Sequence, residues 1–182
     1  GCNILGDAAN ETSIAGDPTN PRKIVIGWRQ FDSVLSDFRQ PGWGYSHDGG
    51  HTWLFRGSLD PGIFGSDPVL AAGPEGEIYY FSINFAESRL FKSYDGGMTW
   101  PRRTQVSPWL VDKPWMAVDH TDGMGRGNIY IASYEVLTRS TDGLIDLLQN
   151  SDGGDELFAR RTAQTEEVSF LHRRSLRALV GH

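Results

Sequence analysis

The sequence predicts an all-β fold built from about three repeated four-stranded antiparallel units, and three observations predict it. The phrase "SHDGGHTW", Ser46 to Trp53, returns as "SYDGGMTW", Ser93 to Trp100. Asp48 and Asp95 are 47 residues apart, and another 47 residues lands on Asp142 in "RSTDGL". A fixed period of this size marks either propeller blades or helical arrays. Within each period, short β-branched and aromatic runs alternate with Gly, Pro and Asp breaks, and no segment before residue 143 is long and periodic enough for a helix. Four antiparallel strands at such a period make the blade of a β-propeller, so the chain is read as a partial propeller.

Each element follows from the alignment of the repeats. "ETSIAGDPTNPRKIVIGWRQ" lies over "DPVLAAGPEGEIYYFSIN" and "KPWMAVDHTDGMGRGNIYIASYE", which puts Ala15, Ala71 and Ala117 in register. The opening apolar run of each is a first strand, and "KIVIGW", "EIYYFSI" and "NIYIASY" are second strands. "WGYSHD" and "RLFKSYD" form third strands, and "HTWLF" and "MTW" begin fourth ones. Asp-Gly between two strands is a hairpin signal, because glycine accepts positive φ and the carboxylate bonds the local backbone. Ser46, Gly50 and Thr52 flank the turn at Asp48, as Ser93, Gly97 and Thr99 flank the one at Asp95. A structural staple therefore outweighs a calcium or catalytic carboxylate at these aspartates. Trp53 and Trp100 stand where a strand would set a large apolar side chain between units.

The third repeat keeps only Ser140 and Asp142 of the phrase, so its outer strand is expected to be missing. The repeats span residues 10–143. Residues 144–182 leave the pattern, since all six Trp and all six Tyr precede residue 135. They are expected to be a weakly ordered or helical tail that packs poorly on the repeats, with "EEVSFLHRRSLRAL" as the helical stretch. A coding sequence cut or shifted near residue 144 would give such a tail.

The repeated phrase S-x-D-x-G-x-T-W resembles the Asp box, and boxes on four-stranded units resemble the bacterial neuraminidase repeats of sialidase-like β-propellers. The phrases "SIAGDPTNP" and "DKPWMAVD" are also similar to secreted Asp-box proteins of uncharacterised activity. The resemblance implies that the boxes are structural and lie away from a catalytic centre. It also implies a secreted, periplasmic or cell-surface protein. Three blades do not close a ring, so the chain is expected to be a fragment or to pair with something.

Strand direction gives the same separation. In an up-down-up-down unit the boxes face away from Glu11, Asp67, Asp112 and Lys113, which precede the innermost strands, and from the long loop "FDSVLSDFRQPG". A site, if the fold carries one, belongs at that end. The net charge of −6 and the lack of a basic run argue against nucleic acid, and no apolar stretch is long enough to span a membrane. Cys2 is the single cysteine, and His47 and His51 flank a turn without further ligands and are read as solvated, so neither a metal nor another cofactor is expected.

A sialidase needs arginines to clamp a carboxylate, an acid/base carboxyl, and a tyrosine nucleophile with its glutamate. The family's Arg-Ile-Pro motif has no counterpart here. Arg29 and Arg39 are near the expected end, and with Glu11, Asp67 and Asp112 they are the weak catalytic candidates. For Arg29 a structural ion pair is favoured. Tyr134 and Glu135 are neighbours on a strand and point to opposite sides. The sequence thus points to a propeller fragment that recognises an extracellular glycan or protein and is inactive as this chain. The alternative is a sialidase-like exo-glycosidase acting on terminal sugars.

Overall fold

The computed structural model describes residues 8–85, 88–107, 112–133, 136–140, 147–150, 156–162 and 165–172. Among them the chain is all-β, with no helix. β1 (Ala8–Gly16), β2 (Ile24–Phe31), β3 (Arg39–Ser46) and β4 (Leu54–Ser58) form a first antiparallel sheet in chain order. β5 (Ser66–Ala72), β6 (Ile78–Ile83), β7 (Ser88–Ser93) and β8 (Arg102–Ser107) form a second. β9 (Trp115–Val118), β10 (Ile129–Ser133), β11 (Val136–Ser140) and β12 (Leu147–Asn150) form a third, and β13 (Glu156–Thr162) pairs with β14 (Thr165–His172). Each sheet is open, with its first and last strands at the edges.

Two expectations are corrected here. The third unit does have an outer strand, because Leu147–Asn150 pairs antiparallel with β11, Ser140 opposite Leu147 and Leu137 opposite Asn150. The segment expected to be helical is a strand over Thr165–His172, and residues 173–182 lie outside the described residues. The physical reason is that β-pairing is decided by a neighbouring strand more than by local pattern. Here the edge of β11 takes up Leu147–Asn150, and pairing with β13 overrides a weak helical periodicity in β14.

The sheets stack through two apolar clusters. Ala15, Val25 and Tyr45 of the first sheet meet Leu70, Ile78, Tyr80 and Phe91 of the second. Tyr79, Phe81, Ile83 and Leu90 on the opposite side of the second sheet meet Ile129 and Ile131 of the third. β6 is therefore buried along its whole length, and its alternating side chains serve both clusters. Tyr80 reaches into the first sheet, where its hydroxyl donates to the Gly42 carbonyl at 2.9 Å. Gly27 makes this possible, since a Cβ there would come within 2.7 Å of Leu70 Cδ1 and closer still to the Tyr80 ring.

Trp100 packs against the first cluster and meets Tyr80 edge-on, with ring centroids 5.9 Å apart. Trp53 does not lie between sheets as expected. It is half-buried beside Ile24, and its indole N–H donates to its own turn at the Gly50 carbonyl, 3.0 Å away. Trp100, its counterpart, packs on the sheet before its own, whereas among the described residues no sheet meets the corresponding side of the first.

The repeated turns are built alike. The Ser46 hydroxyl accepts the Gly50 N–H at 2.8 Å and donates to Asp48 Oδ1 at 2.7 Å. Asp48 also accepts the Thr52 N–H at 2.9 Å and the Thr52 hydroxyl at 2.6 Å. Ser93, Asp95, Gly97 and Thr99 repeat this set, with Gly97 N–H 2.9 Å from Ser93 Oγ and Thr99 N–H 2.9 Å from Asp95 Oδ1. The Thr52 hydroxyl and N–H, with Ser46, hold the Asp48 carboxyl well below the usual carboxylate range. At Asp95 burial pushes the other way, yet the Thr99 and Ser93 bonds prevail and the carboxyl is again held low. The Ser and Thr hydroxyls and the Asp carboxylate of each turn bond within that turn, which is what a staple requires, while the Gly49 N–H reaches out to the Arg22 carbonyl at 2.9 Å. Asp142 lies outside the described residues, so the third turn is not compared.

The turns of successive sheets also touch. The Trp43 indole donates to the Gly97 carbonyl at 2.9 Å, and His47 Nε2 lies 3.2 Å from the Gly96 carbonyl. His47 was expected to be merely solvated. It remains exposed on one side but bridges two turns, because the sheets stack with their turns side by side. His51 is exposed. A second staple escaped the sequence reading: Asp17 accepts the Thr19 N–H at 2.8 Å and hydroxyl at 2.7 Å, and Asp119 does the same for Thr121.

Candidate functional site

Strand direction gives the stack two distinct ends. The Ser-x-Asp turns occupy one. At the other begin β1, β5 and β9, joined by the β2–β3 loop at 32–38, the β4–β5 connection at 59–65, and Asn84 and Phe85 after β6.

At this second end the backbone departs from ordinary geometry three times. Among the described residues, the non-glycine residues with positive φ are Glu11 at 50°, Asp67 at 45° and Lys113 at 51°. They are structural equivalents. Ser13 pairs with Gly27, Val69 with Phe81 and Trp115 with Ala132, and each strained residue stands two positions earlier. In β1 and β5 the ladder slips at that point, so that Glu11 and Thr12 oppose Trp28, and Asp67 and Pro68 oppose Ser82. This is the two-against-one arrangement of a β-bulge, which re-aims a side chain at a sheet's edge. A left-handed backbone costs a side-chain-bearing residue about 1 to 2 kcal/mol, and such strain clusters at functional sites. Here it recurs in three sheets, each time under a charged side chain.

Arg29 on β2 ties two of these residues together. Its Nη2 lies 2.6 Å from Glu11 Oε2 and also contacts Asp67 Oδ1, which accepts the Ser66 hydroxyl at 2.7 Å. The linkage spans the first and second sheets. Asp67 is buried and Arg29 nearly so, while Glu11 is 42 % exposed along its side chain. Burial pushes the Asp67 carboxyl up, but hydrogen bonds from Arg29 and Ser66 and the Arg29 charge outweigh it and hold the group below its ordinary value. Arg29 Nε is buried without a hydrogen-bond partner.

The other candidates do not join this cluster. Arg39 begins β3 with its guanidinium 5.2 Å from the centre of the Phe64 ring, and its Nε is likewise buried and unpartnered. Asp112 is exposed just before Lys113, itself exposed. Tyr134 and Glu135 lie outside the described residues. Among the described residues no group of three or more His, Cys, Asp or Glu gathers as metal ligands, and no helix is long and apolar enough to cross a membrane.

The sequence reading missed an aromatic shelf at this end. Phe64 and Phe85 stack with centroids 4.2 Å apart and planes 25° off parallel, and Phe38 meets Phe64 edge-on at 6.3 Å. Phe85 is 65 % exposed, and Val34 and Leu35 in the loop of Phe38 and Ile63 in the connection of Phe64 are exposed too. Beneath the shelf, Asp60 holds Arg103 at 2.7 Å and Arg89 at 2.5 Å, and a water-sized cavity of about 10 Å³ opens between Asp60, Phe64, Ser82 and Arg89. The available signal was three phenylalanines, with Val34, Leu35 and Ile63, in connections that turn residues mark as loops.

No protein-family model matches the chain, and no curated protein does. Among solved structures, the chain is similar to a crystal structure of a protein of unknown function from Dyadobacter fermentans, with 14 % identity and a TM-score of 0.55. The match covers 81 % of this chain and 56 % of that one, so the chain spans little more than half the length of its structural neighbour. At this identity the likeness concerns the fold alone.

Proposed function

We propose that the chain is part of a sialidase-like β-propeller, that its Ser-x-Asp turns are Asp boxes, and that the end carrying Glu11, Asp67 and Lys113 recognises an extracellular glycan without cleaving it. The stacked four-stranded sheets and the recurring turn chemistry support the propeller reading. The Glu11–Arg29–Asp67 linkage carries the functional one. A glycosidase's acid needs a carboxyl whose pKa is raised so that it carries a proton near neutrality. Asp67 is shifted the opposite way. A substrate carboxylate needs a guanidinium edge free to receive it, whereas two carboxylates already engage Arg29. The exposed Phe85 ring, backed by Phe64, offers the flat apolar face on which the C–H side of a sugar ring stacks.

Two assays test this together. The 182-residue chain should give no turnover of a fluorogenic sialoside above background, and Arg29→Ala and Asp67→Ala should leave that unchanged. On an array of immobilised glycans it should bind, and Phe85→Ala should weaken the binding at least about tenfold, the equivalent of about 1.4 kcal/mol of lost stacking. Turnover that Asp67→Ala abolishes would establish the exo-glycosidase instead. A blank array together with retention on an extracellular protein would make that protein the partner.

A further inference from the structure

The arginines toward the end opposite the Ser-x-Asp turns differ in what meets them. Glu11 and Asp67 engage Arg29, and Asp60 engages Arg89 and Arg103. Arg39, the first residue of β3, is the exception. Its guanidinium carbon lies 5.2 Å from the centre of the Phe64 ring, and among the described residues no carboxylate or carbonyl accepts its side-chain N–H groups. Asp32 and Asp37, in the loop just before it, do not reach it. Asp32 accepts the Gln40 side-chain amide at 3.3 Å, and Asp37 is exposed.

The surroundings hold this guanidinium in place. Phe64, on which it lies, is fixed through its backbone: its carbonyl accepts the Asn84 side-chain amide at 2.7 Å, and the next N–H, that of Gly65, donates to the Arg39 carbonyl at 2.9 Å. Arg39 Nε is enclosed without an acceptor, which costs it its hydration. The Nη edge is not enclosed, and it offers two parallel donors at the spacing that a carboxylate or a sulfate accepts. Exposed Phe85 stacks on the same Phe64 ring, with centroids 4.2 Å apart. One aromatic ring thus has a cation and a second ring as neighbours, and two linked sugars are long enough to meet both.

We propose that the glycan read at this shelf is an acidic polysaccharide chain, with one sugar stacked on Phe85 and the carboxylate or sulfate of its neighbour received end-on by Arg39. The inference rests on the glycan reading above and names the chemistry of its ligand. An aromatic face selects for the C–H side of a sugar and is indifferent to charge. Arg39 adds that choice, because an oxyanion makes charge-assisted bonds to its Nη edge where a neutral chain offers only a hydroxyl. Chain sugars suit the place better than a terminal one. The shelf is an open surface with exposed Val34, Leu35 and Ile63 in its loops, along which a chain runs on in both directions.

Titration calorimetry on the 182-residue chain tests it with two matched pairs of probes. One pair is oligogalacturonate and the same oligomer with its carboxyls reduced to alcohols, and the other is a sulfated galactan oligomer and its desulfated counterpart. At least one acidic probe should bind about tenfold or more tighter than its neutral counterpart, the gain of one charge-assisted bond, and the pair with the larger gap identifies the anion. The gap should narrow as salt rises from about 50 to about 500 mM. Arg39→Gln should bring the acidic probe down to its neutral counterpart, and Arg39→Lys, which keeps the charge but not the fork, should retain only part of the gap. Phe85→Ala should weaken acidic and neutral probes alike. Should Arg39→Gln fail to fold, the wild-type gap and Arg39→Lys decide. Equal binding within both pairs, an acid preference that survives Arg39→Gln, or binding of terminal sialosides alone would overturn the inference and leave the glycan reading standing. Binding of no glycan at all would overturn both.

Discussion

Gly27→Ala should destabilise the chain by about 3 kcal/mol, at the upper end of what one added methyl costs in a packed core. Alanine suits a strand better than glycine, so local propensity alone would make the change mildly favourable. The interface decides otherwise. The new methyl would sit 2.7 Å from Leu70 Cδ1 and 3.0 Å from Tyr80 Cζ. The Tyr80 ring is fully buried and pinned by its hydrogen bond to the Gly42 carbonyl, so it has nowhere to retreat. A thermal melt should fall by about 6 to 12 °C, the shift such a loss gives in a chain of this size. Tyr80→Leu in the same chain should recover part of the loss by vacating the contested space. An unchanged melt for Gly27→Ala alone would mean that the first two sheets do not meet there.

Arg29→Ala should cost about 2 to 4 kcal/mol near pH 7, because removing one partner of a mostly buried ion pair strands the other. Two carboxylates are stranded here, Asp67 in the interior and Glu11 at its edge, and they would repel each other. The penalty should depend on pH. The folded Asp67 carboxyl titrates below its unfolded value of about 4, so its contribution is present above that pH and is lost as pH falls through the folded value. Chemical denaturation of wild type and variant should therefore show the largest gap at neutral pH and a shrinking gap below about pH 4. A gap that stays constant into acid would assign the effect to lost packing of the arginine stem.

The repeat architecture was legible because each sheet writes its own strands and its own turn in consecutive residues. Ala15, Ala71 and Ala117 do occupy one register position, opposite Val25, Tyr79 and Tyr130. The outer strand at Leu147–Asn150 was not legible, since it lacks the Thr-Trp signature and owes its conformation to the edge of β11. At the candidate site, the charged residues before the inner strands could be named from strand direction. Their backbone strain could not, because no glycine marks the positive φ at Glu11, Asp67 or Lys113. The aromatic shelf was hidden for another reason: Phe38, Phe64 and Phe85 come from three loops with no common phrase and meet only in space.

The proposed function implies that the backbone strain at the start of the inner strands is kept for recognition, and Lys113, whose side chain makes no ion pair like those of Glu11 and Asp67 among the described residues, lets Lys113→Gly test it most directly. Glycine adopts the φ of 51° found at that position without penalty, and Lys113 is exposed, so little packing is lost. Melting temperature and glycan-array binding should be measured on the same sample. The account predicts that stability rises by about 1 kcal/mol while binding falls, the opposition expected where strain serves a ligand. Raised stability with unchanged binding, or lowered stability, would contradict it.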